Sequence, residues 1–124
     1  MEIRPQSQFP HIERFKEVFD IDDKTIFAWD EIIYSNYNLP NHLIIHERTH
    51  HEQQRHYGLE YWLENYIKDP EFRLKMELQA YVHQIKFVSD RNEKTKLRME
   101  CARNLSSSLY ANLISYEQAY KKLL

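Results

Sequence analysis

From residue 40 to residue 58 the chain reads PNHLIIHERTHHEQQRHYG, and the helix implied there restricts what kind of core can form. Pro40 suits a first helical turn, and Gly58 suits the position just past a helix end. The segment therefore predicts a helix over about residues 40–57. With about 100° of rotation per residue, Leu43, His46, Glu47, His50, Gln54 and Tyr57 share one side. Arg48, Glu52, Arg55 and His56 share the opposite side. The charged side belongs in water. The other side then carries imidazoles and a carboxylate into the interior, where polar groups are costly unless they find partners.

His46 and His50 lie four residues apart, about 40° from each other and one turn along the helix, so both rings can reach one ion. With Glu47 they form H-E-x-x-H, two imidazole ligands and a carboxylate placed to take a proton from a metal-activated water. Three fixed residues also match by chance, and a charged face that happens to carry histidines fits the motif alone. Two inward histidines in register with a glutamate favour the metal.

A third ligand decides the matter. His56 has the spacing of the metzincin pattern H-E-x-x-H-x-x-G-x-x-H, but the glycine that turns that helix back is Gln53 here. A continuing helix carries His56 about 120° away from His50, onto the surface. Glu77 is the stronger candidate. On a helix over about 70–89, Leu74, Leu78, Tyr81, Ile85 and Val88 form an apolar stripe, and Lys75, Gln79 and Lys86 form the polar side. Glu77 falls with the stripe. It must be paired there, either with a metal or with an arginine such as Arg73 or Arg98. His46, His50 and Glu77 would make a His₂Glu set with one position open to water. Of the other histidines, His51 starts no second motif, because Arg55 stands four residues on. His42 falls in the first turn and is expected to cap the helix or face solvent. His83 is expected to be structural or exposed.

The rest of the chain predicts a mostly helical α+β domain. Residues 1–10 have two prolines and no period, and are expected to be an extended lead-in. Apolar residues at 12, 15, 18 and 19 predict a short helix, and Thr25–Ser35 an antiparallel hairpin. Leu59–Lys68 repeats the helical pattern. Asp69 is a candidate N-cap with Pro70 at N1, a further helix covers about 93–105, and Ser115 with Gln118 makes a capping box.

With 124 residues the chain is sized for one domain. A lone cysteine, Cys101, allows no internal disulfide, so a core or a metal must hold the fold. Net charge of −2 argues against nucleic acid as a partner, and a single glycine excludes glycine-rich phosphate loops. No secretory h-region and no membrane-length apolar run is present, so the expected setting is the cytoplasm of a bacterial or phage-infected cell, with no membrane partner.

The fragments LPNHLIIHERTHHEQQ, DPEFRLKMELQAY and LYANLIS resemble a family of very small H-E-x-x-H proteins of tailed bacteriophages and prophages. The H-E-x-x-H helix with a glutamate on a later helix resembles the gluzincins, the thermolysin-like zinc peptidases. The resemblance spans roughly residues 9–120. It implies Zn²⁺ held by His46, His50 and Glu77, Glu47 as general base, and a hairpin that is a cut-down substrate-side sheet. The turn WDEII lacks the glycine expected there.

The resulting expectation is a minimal zinc metallopeptidase acting on a peptide or protein substrate. Tyr81, one turn after Glu77, is the leading candidate for the oxyanion donor, with Tyr34 and Tyr110 as alternatives. Two rivals stand beside it: a zinc-stabilised structural module, and a metal-free interaction protein. A domain this small also leads one to expect an open, shallow cleft.

Overall fold

The computed structural model describes residues 2–124. Six helices and one small sheet make an α+β, mostly α fold. The sheet comes first. Strands β2 (Phe27–Trp29) and β3 (Ile32–Tyr34) pair antiparallel, with Phe27 opposite Tyr34 and Trp29 opposite Ile32. Asp30 and Glu31 make the two-residue turn with φ of 49° and 70°. Two consecutive positive φ values give the twist that a tight hairpin needs. The turn is thus built without glycine, with an aspartate at its first central position.

The lead-in is more than a tail. Glu2–Arg4 forms a strand, β1, that pairs parallel with β3 and gives the sheet order β1-β3-β2. Gln6–Gln8 follows as a 3₁₀ turn. Buried Gln6 ties it down by donating through Nε2 to the carbonyls of Asp22 (2.8 Å) and Thr25 (2.7 Å). A three-residue strand carries too little alternation to be read from sequence. Met1, at the head of that lead-in, lies outside the described residues.

The helices are α1 (Ile12–Val18), α2 (Asn41–Tyr57), α3 (Leu59–Lys68), α4 (Pro70–Phe87), α5 (Arg91–Leu105) and α6 (Tyr116–Lys122). Their ends follow the expected chemistry. Gly58, at φ 89° and ψ 145°, ends α2 and starts α3, a one-residue joint. Asp69 accepts from the backbone N–H groups of Glu71 and Phe72 with Pro70 behind it, and Ser115 and Gln118 form the capping box of α6. Pro40 sits one place earlier than expected, in the cap position. No helix among the described residues is long and apolar enough to cross a membrane.

Two apolar cores result. One joins α1, the sheet and α3, and is almost wholly aromatic: Phe9 stacks on Phe27 at 4.4 Å and Trp62 on Tyr66 at 4.6 Å. The other joins α4, α5 and α6 around Leu97, Cys101, Leu105 and Leu123. Helix α2 lies against β2 and along α4, between the cores. Its seven buried side chains are His46, Glu47, Thr49, His50, His51, Gln53 and Gln54, none of them apolar. A helix can be buried in this way only if nearly every polar group finds a partner.

Candidate metal centre

The burial of α2 is resolved by specific bonds. On the sheet side, His51 Nε2 donates to the Ile32 carbonyl at 2.9 Å. Gln54 donates to the Ala28 carbonyl (2.9 Å) and accepts from the Asp30 N–H (3.1 Å). These two side chains tether α2 to the hairpin, which makes His51 structural. His56 is exposed, as the helical phase requires. His83 is also exposed, with Nδ1 3.1 Å from Thr49 Oγ1.

His46 and His50 turn instead toward α4. Helix α4 buries Arg73, Met76, Glu77, Ala80, Tyr81, Gln84 and Ile85, a stripe with helical spacing. It places the Glu77 carboxylate between the two rings. Glu77 Oε1 lies 3.2 Å from His46 Nε2, and Oε2 lies 3.1 Å from His50 Nε2. One donor atom from each of the three residues lies within 4.8 Å of the others, so the cluster can hold a metal ion. All three are buried, Glu77 being only 2% exposed. The arginine alternatives are excluded. Arg73 donates to the carbonyls of Tyr66 and Ile67, and Arg98 to that of Leu123.

Glu47 is next to the cluster, with Oε2 3.8 Å from His46 Nε2. Burial pushes its carboxyl above the usual carboxylate range, and the neighbouring histidines only partly oppose this. Burial also opposes ionisation of Glu77, but the His50 charge and hydrogen bonds from His46 and His50 more than offset it. Its carboxyl is held well below the usual range. Two adjacent carboxylates are therefore driven in opposite directions.

Three participants were not read from the sequence. Tyr66, on α3, donates its hydroxyl to Glu77 Oε2 at 2.6 Å. Gln53 Oε1 lies 2.9 Å from His50 Nδ1, and Gln84 Oε1 lies 2.9 Å from His46 Nδ1. Gln84 Nε2 in turn donates to His42 Nδ1 at 2.8 Å. His42 is thus half-buried in the same network and does not cap the helix. Its neighbour lies on α4, beyond anything the periodicity of α2 can reveal.

The tyrosines separate clearly. Tyr34 packs against Phe9 in the aromatic core. The Tyr81 ring lies 4.5 Å from the His46 ring, and its hydroxyl is 2.7 Å from that of Tyr110. Burial holds both phenols well above the usual tyrosine range, so both stay protonated. Tyr66, Tyr81 and Tyr110 line one cavity of about 540 Å³ together with His46, Glu47 and Glu77. Residues from the loop before β2 (20–26), from β2 itself (Phe27 and Ala28) and from Ser107–Tyr110 contribute other walls. The cluster is consequently set deep, where a shallow cleft was expected.

No protein-family model matches this chain, and no curated protein or solved structure is significantly similar to it.

Proposed function

We propose that this chain is a minimal zinc-dependent peptidase of gluzincin type, with His46, His50 and Glu77 as ligands and Glu47 as general base. The observation that supports it most is the pairing of a three-donor cluster with Glu47, a buried residue beside it whose Oε2 lies 3.8 Å from His46 Nε2. Two neutral imidazoles and one carboxylate suit zinc in a site that keeps a position open. Zinc held by His46, His50 and Glu77 would supply Lewis acidity there, making a water more acidic and polarising a substrate carbonyl. Glu47, with its pKa raised by burial, accepts the proton and passes it to the leaving amine. The Tyr81–Tyr110 hydroxyl pair, kept protonated, supplies an oxyanion donor.

A second reading follows from the 3.8 Å approach of Glu47 to His46. If Glu47 coordinates, four protein ligands close the shell and the site is structural. Glu47→Gln separates the two. Metal content is measured by elemental analysis, and cleavage of a peptide library by mass spectrometry. The peptidase reading expects one zinc per chain in both proteins, and cleavage reduced ~10²-fold or more in the variant. Loss of zinc from the variant assigns Glu47 as a ligand, and undiminished cleavage removes it as the base.

A further inference from the structure

Both candidate ligand histidines turn Nδ1 onto the amide oxygen of a buried glutamine. Gln53 uses every hydrogen-bonding position it has. Its Nε2 donates to the Met76 carbonyl (3.0 Å) and to Gln79 Oε1 (2.8 Å). Its Oε1 faces His50 Nδ1 (2.9 Å) and accepts from Trp62 Nε1 (3.2 Å). The Met76 carbonyl can only accept, so the amide has one possible orientation. The oxygen must then face His50, and His50 must carry a proton on Nδ1. When the ring is neutral, its lone pair is at Nε2, beside Glu77. Gln84 Oε1 likewise faces His46 Nδ1 (2.9 Å), and its Nε2 faces His42 Nδ1 (2.8 Å), a ring nitrogen that accepts when His42 carries its proton on Nε2.

We infer that Gln53 and Gln84 are positioning residues of the metal centre, fixing the Nδ1–H tautomers of His50 and His46 so that both Nε2 lone pairs converge on one ion. The inference rests on the metal-site reading of His46, His50 and Glu77 and extends it. The partners are uncharged. They orient the rings without adding negative charge to a pocket that already holds Glu47 and Glu77. Gln53 stands where the metzincin pattern has its glycine, so the position that bends the helix in that pattern here braces a ligand.

The test measures metal binding, not catalysis. Zinc affinity is obtained by competition with a chromophoric chelator, and ligand geometry from the d–d absorption of the cobalt-substituted protein. Gln84→Met keeps length and apolar packing but removes the acceptor. It should weaken zinc binding about 10- to 100-fold, the usual range for losing such a partner. It should also shift the cobalt spectrum. Gln84→Glu keeps an acceptor and should bind at least as tightly as wild type. Gln53→Met carries the same expectation for His50, which covers failure of either variant to fold.

Gln54→Met is the control. Gln54 is as buried on the same helix, but bonds only to the hairpin. It should lower thermal stability and keep wild-type affinity and spectrum. Wild-type affinity in the folded Gln84→Met and Gln53→Met proteins overturns the inference while leaving the metal site in place. So does a Gln54→Met protein whose affinity falls as far as theirs. A wild-type protein that takes up no zinc overturns the metal-site reading, and this one with it.

Discussion

The Glu77 carboxylate and the His50 imidazole, 3.1 Å apart and buried together, hold each other in their charged forms. Burial alone would drive His50 below its ordinary value, but Glu77 overcomes it and the ring is pushed up to about 9. A cation held by His46, His50 and Glu77 would need the same ring nitrogen and carboxylate oxygens that make this contact. Proton and metal therefore compete for the same atoms.

That competition gives opposite pH dependences to the two forms. His50 has a folded pKa above its unfolded 6.5, so its contribution is complete below about 6.5 and is lost as pH rises through about 9. Glu47, raised by burial, also makes the native state lose stability as pH climbs out of the ordinary carboxylate range. Glu77, depressed, contributes above that range and loses its contribution as pH falls below it. Chelator-treated protein should thus melt progressively lower from pH 6.5 to 9. Over the same window zinc should bind more tightly, so the gap between metal-free and zinc-loaded melting temperatures should widen. Parallel curves would place the proton and the metal at different sites.

Zinc should stabilise the chain by mass action, by about 4 kcal/mol at a free concentration about a thousandfold above its Kd. Calorimetry with and without chelator measures this. His46→Ala, His50→Ala and Glu77→Ala should remove most of the increment. His56→Ala should retain it, because that ring points to solvent. Retention of the increment in both single histidine variants would rule out the assigned ligands.

The candidate ligands were legible because each breaks a pattern. His46, His50 and Glu77 are polar residues in helical phase with buried faces, and phase is what a sequence displays. The caps at Asp69 and Ser115 were legible for the same reason, being local. Most of what was missed is nonlocal; the exception is Gln53, three residues after His50 on the same helix, whose amide shows no sign in the sequence that it faces that ring. Tyr66 lies 11 residues before its carboxylate on another helix, and Gln84 lies 38 residues after its histidine. Strand β1 is recognisable only beside β3, 30 positions away. The α4 stripe predicted as Leu74, Leu78, Tyr81, Ile85 and Val88 holds Tyr81 and Ile85 in the core, but the deepest apolar side chains of the helix are Met76 and Ala80. Met76 packs into the aromatic core and the predicted stripe into the other, and a helix shared between two cores has two apolar edges from which a helical wheel cannot choose.

Tyr66→Phe should weaken the metal-free fold by ~1.5–3 kcal/mol, the usual worth of a hydrogen bond to a charged group. The 2.6 Å bond to Glu77 Oε2 is lost while the ring keeps its stack on Trp62. Urea denaturation reads the difference. Tyr61→Phe is the comparison, since Tyr61 is 55% exposed and its loss should stay within ~0.5 kcal/mol. Equal effects in the two variants would mean that the Tyr66 hydroxyl contributes nothing specific to Glu77.

Gly58 joins the helix that carries the histidines to the helix that carries Tyr66 and Trp62, and its backbone decides what can replace it. An added Cβ would meet nothing within 4 Å, so packing does not exclude alanine. The obstacle is φ 89° with ψ 145°, a region that side-chain-bearing residues enter only at a cost of ~1–3 kcal/mol. Alanine recovers ~0.4–1 kcal/mol by restricting the unfolded chain. Gly58→Ala should therefore destabilise by roughly 1–2 kcal/mol in chemical denaturation. Asparagine commonly replaces glycine in the left-handed helical region, but a ψ near 145° lies outside that region. Gly58→Asn should therefore be no better tolerated than alanine. An asparagine variant as stable as wild type would show that the joint relaxes into a left-handed helical turn, and the placement of α3 behind the site would have to be revised.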